Sequence, residues 1–404
     1  IFDNVFSRSW NLLSNDTQQG LIVMRLFATS ASREAIEAAS AVHHFALDEA
    51  LGQLVEMSLV DATDELDLAR RRYSIHSLTR AFARVKLQQE SETQRAAQGR
   101  FAGFFHCFTS RHGGDWHHVG FDKLEPELPN ILAAIQLCWE RRFVDVGIGI
   151  IYNIRYLMVN YGYWNDAMVL GQQAVAQATE PEDELIAARI RNWPISWVHR
   201  RRGNLTLAEE QAMKALAIFE RLGEERDIGD AKRTLGRIAQ ERDQLEQAER
   251  LLKEAQALYQ AVGDEHRIYL VTANLANLAL EQGDLETAWT LCESVLVSAR
   301  RFGDPERVAH LLKVLGDVAR QRDDPEQARS FWEEALTYWR GTNSLIGIAD
   351  VLPRLAQIEI GAGNQRMARK ILLDALEIYR RLDMQSKTRQ VEALLAELPE
   401  PAHQ

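Results

Sequence analysis

Residues 231–250 read AKRTLGRIAQERDQLEQAER, and residues 311–330 read LLKVLGDVARQRDDPEQARS. Both stretches carry a Leu-Gly pair, then an acidic turn, then an alanine. The turn and its alanine recur at one constant interval, at Gly203…Ala208, Asp243…Ala248, Gly283…Ala288, Asp323…Ala328 and Gly363…Ala368. A fixed period of this length is typical of repeat proteins. The pattern therefore predicts an all-α protein whose helical hairpins stack into a solenoid.

Other positions keep the same register, with small residues where helices touch and large apolar residues between them. These columns are Leu235, Leu275, Leu315 and Leu355; Gly236, Ala276, Gly316 and Ala356; Ala215, Ala255, Val295, Ala335 and Ala375; and Phe219, Tyr259, Trp339 and Tyr379. A weaker copy of the turn stands one unit earlier, at Gly162…Ala167. The columns predict that each helix packs on the next through alanine and glycine.

Prolines mark several helix boundaries. Asp304-Pro305 and Asp324-Pro325 each place a capping carboxylate before a proline at the first helical position, where the missing N–H costs nothing. Pro194 and Pro353 fall inside predicted helices. At these two positions we expect kinks or late helix starts.

Composition excludes several classes of function. The 404 residues carry a net charge of −11, which argues against direct nucleic-acid or membrane-surface partners. No stretch approaches the ~20 consecutive apolar residues of a membrane-spanning helix. Cys107, Cys138 and Cys292 have no metal-binding spacing, and we expect them to be small core residues in a reducing, cytoplasmic compartment. Because residue 1 is Ile, we also expect the chain to begin inside a longer protein.

The first ninety residues do not follow the period. Helices are predicted from about Asp16, over 35–41 and over 48–57, followed by a β-hairpin from 58–61 and 72–76 and a helix over 78–87. The acidic turn of this hairpin runs through Asp64, Glu65 and Asp67. Three helices and a hairpin form a winged helix. Residues 1–90 hold 9 Lys and Arg against 12 Asp and Glu, which argues against DNA binding.

The repeats resemble the tetratricopeptide repeat, whose first helix carries the same Leu-Gly pair. A standard unit is roughly 34 residues long. The 40-residue period of this sequence implies helices about one turn longer, as in the superhelical sensor arrays of bacterial regulators. The resemblance covers residues 143–398 and leaves a tail over 399–404.

The head of the chain resembles the winged helix of the STAND signal-transduction ATPases, which have an NB-ARC nucleotide-binding core. The matching stretches are FSRSWNLL (6–13), LGQLVEMSLV (51–60), YSIHSLTRAFA (73–83) and, at the junction, LEPELPNILAAI (124–135). The resemblance implies a winged-helix domain over 1–90, a helical connector over 91–142 and a sensor array after it. It also implies that His76 approaches the β-phosphate of ADP, although Ile75-His76-Ser77 departs from the family's usual Met-His-Asp.

Motifs of catalysis are missing from the sequence. No Gly-x-x-x-x-Gly-Lys-Ser/Thr loop occurs, so we expect this chain to bind no nucleotide by itself and to be no enzyme. ADP or ATP would sit on an upstream domain. The histidines His106, His112, His117 and His118 surround Asp115, but their spacing fits no standard zinc pattern and predicts a polar loop.

The tetratricopeptide register also predicts which residues face the concave groove. These ligand-groove candidates are Tyr152, Tyr156, Trp193, Trp197, Arg200, Arg233, Arg237, Asn277, Lys313 and Arg320. Aromatic residues near Tyr152 and Trp197 would line the entrance of the groove, and Arg233 and Arg237 would follow them. Arginine can bind a carboxylate or phosphate with two hydrogen bonds. The alternative is that the aromatic columns pack helix on helix and the arginines pair with neighbouring glutamates.

These observations favour the regulatory and ligand-sensing half of a STAND ATPase. The winged helix would hold the ADP-bound resting state, and the array would bind a protein, peptide or small-molecule inducer on its concave face. We expect the chain to be monomeric and the full-length protein to oligomerise on activation. The alternative is a free-standing scaffold that binds a peptide or protein. An upstream Gly-Lys-Ser/Thr loop in the gene would separate the two.

Overall fold

The computed structural model describes residues 8–63, 65, 71–89, 91–114 and 120–398. Its chain divides into two compact units, Ile1–Ile154 and Arg155–Gln404. Several predicted features lie outside the described residues, namely Phe6 and Ser7 of the first matching stretch, Asp64 and Asp67 of the acidic turn, Asp115, His117 and His118, and the tail over 399–404.

The first unit begins with a group of helices and a small sheet. Its elements are α1 (Asn15–Met24), β1 (Ala31–Ser32), α2 (Arg33–Ser40), α3 (His44–Glu56), β2 (Asp61–Ala62), β3 (Arg72–Ser74) and α4 (Ser77–Gln89). The antiparallel sheet has the order β1-β3-β2, with Ala31 and Ala62 on either side of Tyr73. The predicted winged helix is confirmed. Its strand β1 was not predicted, because two residues are too short to show an alternating pattern.

Two connector helices complete the first unit, α5 (Ser91–His112) and α6 (Phe121–Arg141). Phe101 and Phe105 of α5 pack edge-on against Phe27, with ring centroids 5.1 and 6.4 Å away. Cys138 is buried in α6, but Cys107 is exposed on α5, so the prediction that all three cysteines are core residues is wrong for Cys107. A 22-residue helix has an outer face as well as a core face, and Cys107 lies on the outer one.

The predicted junction carries a polar network. Asn130 is fully buried; its side-chain oxygen accepts from the backbone N–H of Ala28 at 2.9 Å, and its amide donates to Glu127 at 2.7 Å. Glu127 in turn pairs with Arg72 of β3. The residues of the junction stretch therefore bind the connector helix α6 to the winged-helix sheet.

The helices from residue 144 onward form hairpins. They are α7 (Val144–Asn160), α8 (Trp164–Gln177), α9 (Pro181–Ile190), a π turn (Arg191–Ile195), α10 (Ser196–Arg201), α11 (Leu205–Leu222), α12 (Glu225–Glu241), α13 (Leu245–Ala261), α14 (Glu265–Glu281), α15 (Leu285–Arg301), α16 (Pro305–Gln321), α17 (Pro325–Gly341), α18 (Leu345–Gly361), α19 (Gln365–Arg381) and α20 (Gln385–Glu397). From α12 to α19 all helices have the same length, and their first residues are evenly spaced along the chain. The predicted tetratricopeptide-like solenoid is confirmed.

Each turn between successive helices from α10 to α20 contains a residue with a left-handed backbone. Asp243, Gly283, Asp323 and Gly363 have φ between 62° and 79°. The N–H after this residue bonds back to the helix, as in the 2.9 Å bond from Gln244 to the carbonyl of Ala239. The recurring Gly or Asp in the sequence therefore sets the sharp turn of each hairpin.

The predicted columns are packing surfaces. Ala208, Ala248, Ala288, Ala328 and Ala368 are all fully buried. At Gly316 a Cβ would overlap the indole ring of Trp332, which is itself fully buried. The Leu-Gly pair is thus required where a neighbouring large side chain lies directly on the helix backbone.

The two internal prolines behave differently. At Pro194 the helix breaks, because Trp193 has an extended backbone (φ −155°, ψ 120°) between α9 and α10, as expected. At Pro353 a late helix start is ruled out, since α18 begins at Leu345 and continues through the proline. Proline leaves the carbonyl of Ala349 without its helical donor. The hydroxyl of Tyr379 donates to that carbonyl at 2.7 Å and takes the place of the missing N–H.

Candidate functional site

The inner face of the second unit is enclosed, because its first and last repeats meet. Arg201 on α10 forms an ion pair with Asp350 on α18 at 2.7 Å, although 149 positions separate them. Arg202 donates to the carbonyl of Leu382 at 3.3 Å, and Arg381 donates to the carbonyl of Tyr161 at 3.1 Å. Side chains that point inward from successive repeats therefore share one space.

Aromatic side chains gather at one end of this inner face. The rings of Tyr156 and Trp193 stack with centroids 4.0 Å apart, and Trp197 lies 6.1 Å from Trp193. The guanidinium of Arg155 lies 4.8 Å from the centre of the Tyr156 ring. Tyr152, one turn earlier on α7, is half-buried and belongs to the first unit. The structure thus brings three of the four predicted aromatic residues together, already in contact with one another.

Four arginines, which we call the arginine cluster, lie beyond the aromatic residues: Arg200, Arg201, Arg233 and Arg237. Arg200 is only 4% exposed and pairs with Glu241. Arg201 pairs with Asp350, as described above. Arg233 lies 3.8 Å from Asp230, which also binds Arg267 at 2.9 Å. The sequence register missed Arg201.

Arg237 differs from the other members of the cluster. Among the residues that the structure describes, no carboxylate lies within ion-pair distance of its guanidinium. Its Nε is buried without a hydrogen-bond partner, as are the Nε atoms of Arg201 and Arg233. Burial, together with the positive charge of Arg200, lowers the pKa of Arg237 to about 9. The cluster therefore holds a cation whose charge the described part of the protein does not neutralise.

The remaining groove candidates lie in the later repeats. Lys313 is buried and bound to Asp317 at 3.0 Å, and Arg354 binds the same carboxylate with two bonds. Asn277 contacts His310, while Arg320 is exposed. Lys313 was predicted as a groove cation, and its charge is already paired.

A cavity of about 680 Å³ opens beside these residues, between α14, α16, α18, α19 and α20. Its walls include the predicted Asn277, Lys313 and Arg320 and two residues that the sequence did not indicate, Arg354 and Tyr379. The space is large enough for a small organic molecule or a few residues of a peptide.

A sequence signal for three missed inward-facing residues did exist. Asp230, His310 and Asp350 occupy one column of the 40-residue register, one helical turn before the column of Arg233 and Lys313. Residues three and four apart on a helix share a face. Extending the inward stripe by one turn would have found these three residues.

His310 leads to a pH-dependence prediction. Burial and the nearby cation Lys313 lower the pKa of His310 well below its usual value, and its Nε2 lies 3.3 Å from the amide nitrogen of Asn277. The His310 imidazole therefore stays neutral in the folded state at a pH where it becomes protonated in the unfolded chain, near pH 6.5 and below. Below this pH, wild-type stability should fall by up to about 1.4 kcal/mol per pH unit more than that of His310→Gln.

Urea unfolding at pH 7.5 and 5.5 measures this difference. His266, whose pKa burial also lowers, is present in both proteins and cancels in the comparison. Equal losses of stability in wild type and His310→Gln would contradict the assignment.

His76 belongs to the first unit. It is exposed immediately before α4, and its Nδ1 lies 3.4 Å from the backbone N–H of Leu78. A ring nitrogen that accepts from this N–H leaves the proton on Nε2.

Within the described parts of the chain, no group of three His, Cys, Asp or Glu side chains is suited to a metal ion, and no helix is long and apolar enough to cross a membrane.

Comparison with known families identifies the repeats. Residues 198–399, half of the chain, match the family described as the MalT-like TPR region. The chain belongs to this family. The MalT-like TPR region includes Arg200, Arg201, Arg233 and Arg237 as well as the cavity.

Two solved structures are similar to this chain. A STAND protein with a tetratricopeptide repeat sensor, PH0952 from Pyrococcus horikoshii, matches 98% of this chain and 55% of its own with a TM-score of 0.58 and 17% identity. NprR in complex with its cognate peptide NprX matches 68% of this chain and 83% of its own, with a TM-score of 0.48 and 15% identity. The predicted resemblance to STAND proteins with repeat sensors is confirmed at the level of the fold.

One curated relative is much longer than the segment that it shares with this chain. The transcription activator GutR of Bacillus subtilis (strain 168) is 22% identical over 168 residues, which are 39% of this chain and 20% of GutR. The chain therefore spans about a fifth of GutR and about half of PH0952.

Proposed function

We propose that this chain is the regulatory and ligand-sensing half of a STAND signal-transduction ATPase. The winged helix of the first unit holds the ADP-bound resting state of an upstream nucleotide-binding domain. The MalT-like TPR region of the second unit binds an inducer or partner. The observation that carries the proposal is the presence, in one chain, of a winged helix with an exposed His76 and a MalT-like TPR region.

The proposed switch assigns a separate task to each unit. The inner face of the array supplies aromatic area and cations for ligand binding, and the chain itself catalyses no reaction. Ligand binding favours an open state in which the winged helix releases ADP and the full-length protein oligomerises. Such a change requires a ligand that binds the open state more tightly than the resting state.

His76 gives the proposal its first test. In the full-length protein, His76→Ala should weaken ADP retention by about 10- to 100-fold, because a hydrogen bond to a charged phosphate contributes ~1.5–3 kcal/mol. The measurement is the ADP content of the purified protein together with its basal activity. His43→Ala is the matched control, since this histidine of the same unit is 62% exposed in its side chain. Unchanged ADP content in His76→Ala would remove His76 from the mechanism.

The same preparation distinguishes the scaffold alternative. A full-length protein that lacks a Gly-Lys-Ser/Thr loop and carries no ADP would be a scaffold whose array binds a peptide or protein.

A further inference from the structure

The arginine cluster contains three N–H groups without acceptors. The Nε atoms of Arg201, Arg233 and Arg237 are all buried and make no hydrogen bond to any described residue. An N–H that is removed from water without a partner costs about 1–3 kcal/mol, and more when the group is charged. Three such groups in one enclosed space indicate an acceptor that the chain itself does not provide.

The carboxylates near the cluster are engaged elsewhere. Glu241 pairs with Arg200, Asp350 pairs with Arg201, and Asp230 is shared by Arg233, Arg267 and the Tyr259 hydroxyl. Glu281 also feels the charge of Arg237, but its side chain is exposed and forms no ion pair with that residue. Among the described residues, the charge of Arg237 therefore remains without a counter-ion.

Water alone is a poor substitute for a counter-ion at this position. Arg200, beside Arg237, is only 4% exposed, and Arg201 joins the first repeats of the unit to the last ones. Arg237 itself is half-buried, with its Nε shielded from water. A shielded guanidinium without an anion is unfavourable, whereas an oxyanion accepts two parallel bonds from one guanidinium.

We propose that the arginine cluster binds an oxyanion, a carboxylate or phosphate group of the array's ligand, with Arg237 as its principal partner and Arg233 and Arg201 as further donors. This inference rests on the proposed function, because it names the chemical group that the sensor recognises. The stacked Tyr156 and Trp193 rings beside the cluster offer apolar area for the rest of the ligand.

Calorimetric titration of the chain with inorganic phosphate and, separately, with succinate tests this site. Both titrations use chloride to hold the ionic strength constant, because screening alone alters surface electrostatics. We expect saturable binding of at least one anion, and the better of the two identifies the group. Arg237→Gln should weaken that binding at least about tenfold. Arg250→Gln, at an exposed arginine on α13, should leave it unchanged.

The free energy of unfolding of Arg237→Gln provides a second test. A ligand-binding role and a purely structural role of Arg237 predict opposite changes in this quantity. Without added anion, Arg237→Gln should be at least as stable in urea as wild type, because it removes an unpaired, half-buried charge. Loss of stability in this variant would indicate a structural arginine and overturn the proposal. Should Arg237→Gln not fold, that outcome counts the same way. Arg237→Lys, which keeps the charge but lacks the planar fork, should bind the anion with intermediate affinity.

Absence of saturable binding of both anions to wild type would also overturn the site, as would equal binding by wild type and Arg237→Gln. The measurement needs no nucleotide domain and no inducer. Anion binding that survives a failed His76→Ala test would therefore leave the site intact and contradict only the proposed switch.

Discussion

Replacing Trp332 with alanine should lower the free energy of unfolding of the repeat array by about 3–5 kcal/mol. Trp332 is fully buried, and its indole N–H donates to the carbonyl of Lys313 at 3.2 Å. The ring lies against Gly316, so Trp332 of α17 packs directly on the backbone of α16. Truncation to alanine leaves a cavity between α16 and α17. The two helices cannot move together to fill it without giving up their packing against the adjacent helices.

Urea denaturation followed by circular dichroism measures the loss. Trp332→Phe keeps an aromatic ring and loses the donor, so it should cost only about 1 kcal/mol for the hydrogen bond plus a small packing term. Val297→Ala, at a residue that is 73% exposed, should change stability by no more than about 0.5 kcal/mol. A loss below about 1 kcal/mol in Trp332→Ala would contradict the packing described for this column.

Replacing both Arg233 and Arg237 with alanine should abolish inducer-dependent signalling of the full-length protein while the array remains folded. Both side chains face the enclosed interior, where Arg237 has no ion pair among the described residues. Removal of Arg233 leaves Asp230 bound to Arg267 at 2.9 Å and to the Tyr259 hydroxyl at 2.8 Å. The double variant therefore removes ligand-binding cations without opening a packing column.

ATP hydrolysis and oligomerisation of the full-length protein, each with and without the natural inducer, measure this effect. Arg250→Ala is the control for loss of an arginine charge, and thermal unfolding checks that each variant is folded. Trp197→Ala is a less specific probe, because Trp197 packs on Trp164 with ring centroids 5.2 Å apart. A normal response of the double variant, or inducer contacts confined to the outer face or the winged helix, would contradict the groove assignment.

Much of the fold could be predicted because repeats are local. The Leu-Gly pair at 315–316 and the alanines of the 208–368 column pack within one hairpin or against the next one, so their spacing in the sequence follows their spacing in the array. The turn residues act locally as well, since Asp243 and Gly363 adopt the left-handed backbone within their own turns. Strand β1 escaped prediction because two residues acquire strand structure only by pairing with Tyr73 and Arg72.

The candidate site was predicted in part. Inward positions of Arg200, Arg233 and Arg237 follow from helical periodicity, but their partners come from other repeats. Lys313 illustrates the limit of prediction from the sequence. Its charge is paired with Asp317, one turn later on the same helix, and Arg354 of the next repeat binds the same carboxylate.

By itself the sequence determined the repeat and its constant period and the winged helix before it. Only the tertiary structure decided that the first and last repeats meet, through Arg201 and Asp350, and that Tyr379 satisfies the carbonyl left open by Pro353. Whether the first and last repeats meet depends on the small rotation between each hairpin and the next, added over the whole array. The sequence of one repeat does not determine this total rotation. For the same reason the unpaired charge of Arg237 is visible only once every neighbouring carboxylate has been placed.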